Sequence, residues 1–415
     1  MTRLDPHGDA SADAGDVFRA HGATEHEAAE LAAYARNAYA FDLADAPPPS
    51  ASSDDPWPDE PFVSAWDAYA ADAARVGVLE ALRRPLVQLR FPVAEGMSRA
   101  EAYVAATRRG VVPAAESLGD GLRLARPDAL RLFVHPTAAG RIPVVVAGSR
   151  HDFELLVRAL TRRNEPEPVP PSMGACIVGG YNNWDRVGTL RREYECAALI
   201  HQGPSWDAHF RAEVVPRKEL YQDRFILLST GPYSATPAAA VGLDAEAWAA
   251  TSLTIRLEHE CAHYFTRRVF GSMRNSLLDE LIADYAGIVS AAGRFRADWL
   301  LRFMGVEDAG RFRAGARLEN YRGSPALSDG AFVVLQSLVR SAADALSRFD
   351  AWRISSGAAR EDWNPLTERA RAIGAIARAG LERLASPGGD RALRDAYHAR
   401  AECVTAACEG VTATR

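Results

Sequence analysis

TSLTIRLEHECAHYFTRRVFGSMRNSLLDELIADYAGIVSAAG, residues Thr251–Gly293, decides how the rest of the chain is read. It holds two segments of helical periodicity whose polar residues recur at metal-site spacing. His259, Glu260 and His263 form H-E-x-x-H. On a helix, positions i and i+4 share a face about one turn apart, so both imidazoles can reach one cation. Glu260 projects beside that pair, which suits a base acting on water better than a ligand. Glu280 and Asp284 repeat the i, i+4 spacing in the second segment. Glu280 can supply a third ligand while Asp284 hydrogen-bonds a ligand imidazole. Residues 267–275, with Gly271, are expected to reverse the chain so that the two helices pack antiparallel with their polar faces together.

The surroundings are apolar: Leu253, Ile255, Leu257, Ala262 and Phe265 flank the first motif, and Leu277, Leu278, Leu281, Ile282, Ala286, Ile288 and Val289 the second. Helices of this composition are expected to be buried, and buried charges need partners or a metal. The plainer reading, two amphipathic helices with a charged solvent face, leaves that burial unexplained. Cys261 falls on another side of the first helix and reads as a small core residue.

H-E-x-x-H followed on the next helix by E-x-x-x-D resembles the gluzincin metallopeptidases, the thermolysin-like class, over residues 245–293. The resemblance implies an α+β, predominantly helical fold with a zincin-like core and a helical C-terminal subdomain. It implies Zn²⁺ held by His259, His263 and Glu280, with Glu260 as general base, Asp284 orienting a ligand and a peptide or protein as substrate. The class also uses a Tyr or His from outside the motif to steady the oxyanion. Candidates are Tyr321, Tyr397 and His398, with Tyr321 preferred because it follows the metal helices closely. An edge strand precedes the metal helix in this class, which makes Phe225–Thr230 a candidate to pair with an extended peptide. A buried central strand is the more conservative reading of that run.

The whole chain, of 415 residues and 48% apolar, has room for two or three domains. A net charge of −6 argues against a general nucleic-acid surface. The first residues carry no apolar leader and no run is long enough to span a bilayer, so a cytoplasmic protein without a membrane partner is expected. Five cysteines, Cys176, Cys196, Cys261, Cys403 and Cys408, contain no C-x-x-C and leave one over, which argues against a disulfide framework.

Periodicity suggests an N-terminal helical segment (1–46, periodic over 16–43) and a Pro/Ser/Asp-rich linker (47–61). A small α+β region (62–170) follows, then the metal core (171–295) and C-terminal helices (296–415). Within the α+β region, helices are expected over 62–84 and 98–109, the latter opening on the capping-box pattern Ser98 to Glu101. A hairpin is expected over 130–147 and a helix over 152–163. Asp244 is expected to cap the H-E-x-x-H helix. Gly179 to Arg186, GGYNNWDR, reads as a turn-rich loop. It either lines an active-site cleft or plugs the core with Trp184 while Asp185 and Arg186 pair locally.

Two other readings of the motif remain. A di-iron carboxylate bundle would use Glu260-x-x-His263 with Asp395-x-x-His398 as a second half, but leaves His259 idle. A structural zinc site would favour four protein ligands including Cys, and leaves Glu260 without a role.

Overall fold

The computed structural model describes residues 10–36, 57–111, 121–201, 204–271, 277–306, 311–357 and 364–398. The expected linker up to residue 56, residues 272–276 of the expected reversing loop, and the tail with Cys403 and Cys408 lie outside the described residues. The chain divides into two compact units: a metal-helix unit, Met1–Trp57 with Pro232–Arg415, and an inserted unit, Pro58–Gly231. These divisions differ from the boundaries expected at 170/171 and 295/296. Residues 171–231 supply two strands to the sheet of the preceding region, which a sequence-local reading cannot register.

The metal-helix unit begins with α1 (Ala10–Ala20) and α2 (Glu25–Arg36). One periodic run was expected, but Gly22 breaks it in the left-handed region at φ 93°.

In the inserted unit, α3 (Val63–Val76) and α4 (Val78–Leu82) replace the single helix expected over 62–84, and Gly77 at φ 89° separates them. α5 (Glu101–Arg109) starts later than expected, and Ser98 does not cap it. Ser98 lies in the 3-10 turn Met97–Arg99, where its N–H donates to Glu165 Oε1 at 2.8 Å. β1 (Arg131–His135) and β2 (Ile142–Val146) form the expected antiparallel hairpin. α6 (Arg150–Thr161) follows, capped by the Ser149 hydroxyl, which accepts from Asp152 N at 3.1 Å. β3 (Ala175–Asn182), α7 (Trp184–His201), the short α8 (Trp206–His209) and β4 (Gln222–Leu228) complete the unit.

The sheet order is β1-β2-β4-β3, with β4 parallel to β2 and antiparallel to β3. β4 is therefore an inner strand, with Phe225, Ile226, Leu227 and Leu228 fully buried. This corrects the expectation that Phe225–Thr230 pairs with a peptide substrate: the ladder positions on both sides of β4 are occupied by neighbouring strands. GGYNNWDR is likewise no loop lining a cleft. Its first half ends β3 with a register shift at Gly179/Tyr181, and Asn183 caps α7 by accepting from the N–H groups of Asp185 (3.1 Å) and Arg186 (3.2 Å). Arg186 pairs with buried Asp223 at 2.7 Å and not with Asp185, whose carboxylate takes the Tyr69 hydroxyl at 2.9 Å. Asp223 also accepts from Trp66 Nε1 and Asn183 Nδ2, at 2.8 and 2.6 Å, so this buried charge is fully engaged.

The metal-helix unit resumes with α9 (Ala238–Val241), α10 (Ala245–Phe270), α11 (Leu277–Ala292), α12 (Ala297–Met304), α13 (Asp329–Ser355) and α14 (Pro365–Ala385). Residues 389–398 are helical again. The protein is thus α+β and predominantly helical, as the sequence implies, and no described helix is long and apolar enough to cross a membrane. Asp244 caps α10 as expected, accepting from Ala247 N at 2.8 Å, and Gly271 closes it at φ 68°.

α10 and α11 run antiparallel. Ile255 meets Gly287, His259 meets Asp284, and Thr266 meets Asp279, so one helix ascends as the other descends. A Cβ at Gly287 would lie 2.6 Å from the Ile255 carbonyl oxygen, closer than real contacts allow. Gly287→Ala is therefore expected to push the helices apart and cost about 1–3 kcal/mol of stability. Denaturant unfolding would measure the loss, and a variant as stable as wild type would show that this approach is not needed.

Candidate metal centre

α10 presents His259 and His263 on one buried face, and α11 brings Glu280 against them. The two Nε2 atoms are 3.0 Å apart, and the Glu280 oxygens lie 3.5 Å from His259 Nε2 and 3.6 Å from His263 Nε2. Bond lengths of about 2.0–2.2 Å place two ligand atoms of a tetrahedral zinc roughly 3.3 Å apart, close to each of these separations, with Glu280 facing His259 through Oε2 and His263 through Oε1.

The other ring nitrogens support the same reading. His259 Nδ1 is 3.0 Å from Asp284 Oδ1, and His263 Nδ1 is 2.9 Å from Asp279 Oδ2. A carboxylate only accepts, so each Nδ1 carries the proton, and in neutral rings the two Nε2 lone pairs face each other. That arrangement is unfavourable unless a proton or a cation lies between them. In the protein without a cation, burial lowers the His263 pKa, but the Asp279 charge and hydrogen bond, with Glu280 and Glu260, outweigh it and hold it at about 10. The donors and their spacing thus fit a divalent metal, which would take the place of that proton.

Three residues that carry the arrangement were not singled out in the sequence. Asp279 receives the Thr266 hydroxyl at 3.0 Å as well as His263, and orients the second imidazole as Asp284 orients the first. Arg317 enters from the 3-10 turn Arg317–Tyr321. Its Nη2 reaches Glu280 Oε2 at 2.6 Å and Asp284 Oδ1 at 3.1 Å, while Nη1 reaches the Tyr233 and Ser234 hydroxyls at 3.1 and 3.2 Å. Tyr233 donates to Asp284 Oδ1 at 2.6 Å and lies 2.9 Å from His259 Nδ1.

These charges set the protonation of the site. Burial pushes the Asp284 carboxyl up, but Arg317, His259 and Tyr233 hold it at about 2. Glu280 is lowered in the same way, burial being outweighed by Arg317 and the two histidines. Burial and Asp284 raise Tyr233 against the opposing effect of Arg317, so it stays a phenol.

The turn Tyr233–Ala235 is unusual, since Ser234 and Ala235 have φ of 48° and 53° without being glycine. Such strain persists where surroundings over-determine it. Here the Tyr233 N–H donates to Ser252 Oγ (3.0 Å), Arg256 Nη2 to Pro232 O (3.2 Å) and Trp248 Nε1 to Thr236 O (2.7 Å), all from α10.

Of the residues expected from the sequence, His259, His263, Glu280 and Asp284 converge. Glu260 sits beside them, half-exposed, and makes no side-chain hydrogen bond among the described residues. Tyr321 reaches the site, where its hydroxyl lies 3.4 Å from Arg317 Nε and close to Glu280. That places Tyr321 within the cluster, beside Glu280 and Arg317. Tyr397 and His398 lie elsewhere, packed on Trp352, with the Tyr397 hydroxyl on Glu368. Among the described residues, neither Asp395 nor His398 joins a metal-holding group, which removes the second half of the di-iron reading. Cys261 is buried as expected, and burial raises its thiol pKa well above the usual value.

Fold and site together define a predominantly helical α+β protein with a buried cluster of two histidines and three carboxylates. The chain belongs to DUF7005, a family of unknown function, whose pattern matches residues 16–388. No curated protein and no solved structure gives a significant match.

Asp279→Asn and Asp284→Asn each leave one imidazole of the candidate site without its charged partner. Each is expected to lower zinc affinity about 10–100-fold, read by competition with a chelator. Wild-type affinity in Asp279→Asn would remove that residue from the site.

Proposed function

We propose that this protein is a zinc-dependent hydrolase, and specifically a metallopeptidase of zincin-like fold. One observation carries the reading: His259 Nε2, His263 Nε2 and a Glu280 oxygen converge, each imidazole backed by its own carboxylate. A structural zinc site is less consistent with this, because such sites usually close with four protein ligands and favour Cys. Only these three residues form this group among the described residues.

Zinc bound there would lower the pKa of a water towards neutrality and polarise a carbonyl. The chain's own residues supply the remainder. Glu260, adjacent to the ligands and not committed to another partner among the described residues, takes a proton from the attacking water and returns it to the leaving amine. Asp284 and Asp279 keep both imidazoles in the tautomer that presents Nε2. Arg317 and Tyr321 hold Glu280 in place. A peptide or protein substrate follows from the likeness of the two motifs to gluzincins.

Purified protein is expected to contain about one zinc per chain, and folded His259→Ala or Glu280→Ala protein to lose it. Glu260→Gln keeps size and most hydrogen bonding, so zinc stays while cleavage of a peptide library falls by about 10²–10⁴-fold. Elemental analysis and the cleavage assay check both statements. Cleavage at the wild-type rate by Glu260→Gln would end the proposed mechanism.

A further inference from the structure

We infer that Tyr34, on α2, is a positioning residue for the metal centre, through which the N-terminal helical pair sets the geometry of Glu280 and Arg317. The inference rests on the proposed metal site and adds to it a part of the chain that carries no metal motif. The Tyr34 hydroxyl donates to the Tyr321 carbonyl at 2.8 Å and lies beside the Leu277 backbone N–H. Leu277 is the first residue of α11, three before Glu280, and Tyr321 ends the turn that delivers Arg317. One hydroxyl therefore lies between the start of α11 and the end of the turn whose Arg317 meets Glu280.

Other contacts make α2 a frame along the same segment. Gly323, at φ 86°, lies against the Tyr34 ring, and a Cβ there would be 3.0 Å from Cδ2. The Glu30 carboxylate receives both the N–H and the hydroxyl of Ser328 at 2.6 Å, and Ser328 is the residue that caps α13. Residues 321–328 are thus held by α2 at both ends. The helical pair is itself anchored by His21, whose ring nitrogens lie 2.8 Å from Ser337 Oγ on α13 and 3.0 Å from the Ala385 carbonyl on α14. A rigid support of this kind fixes groups that touch a ligand, since small shifts there weaken binding.

Tyr34→Phe removes the hydroxyl and keeps the ring. Phe18→Leu serves as the control: Phe18 is a buried core residue of α1, and its truncation lowers stability while leaving the Tyr34 hydroxyl in place. Hydrogen exchange of the metal-free full chain tests the tie, and Co²⁺ absorption with zinc competition tests its consequence. Tyr34→Phe is expected to speed exchange in residues 277–284 and 317–323 and to shift the Co²⁺ visible bands. It should weaken zinc binding about 3–10-fold, less than the about 10–100-fold cost of losing a direct orienting partner. Phe18→Leu should lower the melting temperature with unchanged Co²⁺ bands. Wild-type exchange and bands in Tyr34→Phe would overturn the inference, as would equal band shifts in Phe18→Leu. If wild type takes up neither Co²⁺ nor Zn²⁺, the metal reading itself fails; if wild type binds metal and Tyr34→Phe behaves identically, only the positioning role fails.

Discussion

Asp279, Glu280 and Asp284 are three carboxylates within six residues of one helix, and all are buried. An uncompensated ion in such a place costs several kcal/mol, so each must be answered by a donor or an opposite charge. The surrounding structure meets this demand. Two imidazole N–H groups, the Tyr233 and Thr266 hydroxyls and the Arg317 guanidinium converge on these three side chains. Arg317 contributes one positive charge against three negative ones, and a divalent cation between the histidines would bring the cluster to neutrality. Charge balance thus supports the proposed divalent metal, as ligand type does.

Much of this was legible in the sequence. The i, i+4 spacings of His259 with His263 and of Glu280 with Asp284 name residues that do converge, and the apolar flanks of α10 and α11 predict their burial. Asp279 was readable too. In an antiparallel pair, climbing from His259 to His263 means descending from Asp284 past Glu280 towards Asp279, the next carboxylate on the helix. Arg317 and Tyr233 carried no such signal. They approach from outside the helix pair, through turns whose position depends on tertiary packing.

The failures share a cause. The run Phe225–Thr230 and the stretch GGYNNWDR were read by composition, whereas their roles are set by partners distant in sequence. β4 is an inner strand because β2 and β3 flank it, and Arg186 is spoken for because Asp223 is buried beside it. Local signals succeeded where local geometry decides the outcome, as with the Asp244 cap. The capping-box pattern at Ser98 misled because Glu165, distant in the chain, takes that N–H first.

The insertion of Pro58–Gly231 into the metal-helix unit has a consequence in time. A chain made from its N-terminus completes the inserted unit, with all four strands, before α10 exists, and domains generally fold as units in the order they emerge. α1 and α2 are synthesised before the inserted unit yet meet these partners after it, since Tyr34 and Glu30 bind residues 287 and 298 positions further along. The cluster of His259, His263 and Glu280 is therefore completed late in synthesis, when the helices made after the inserted unit meet those made before it.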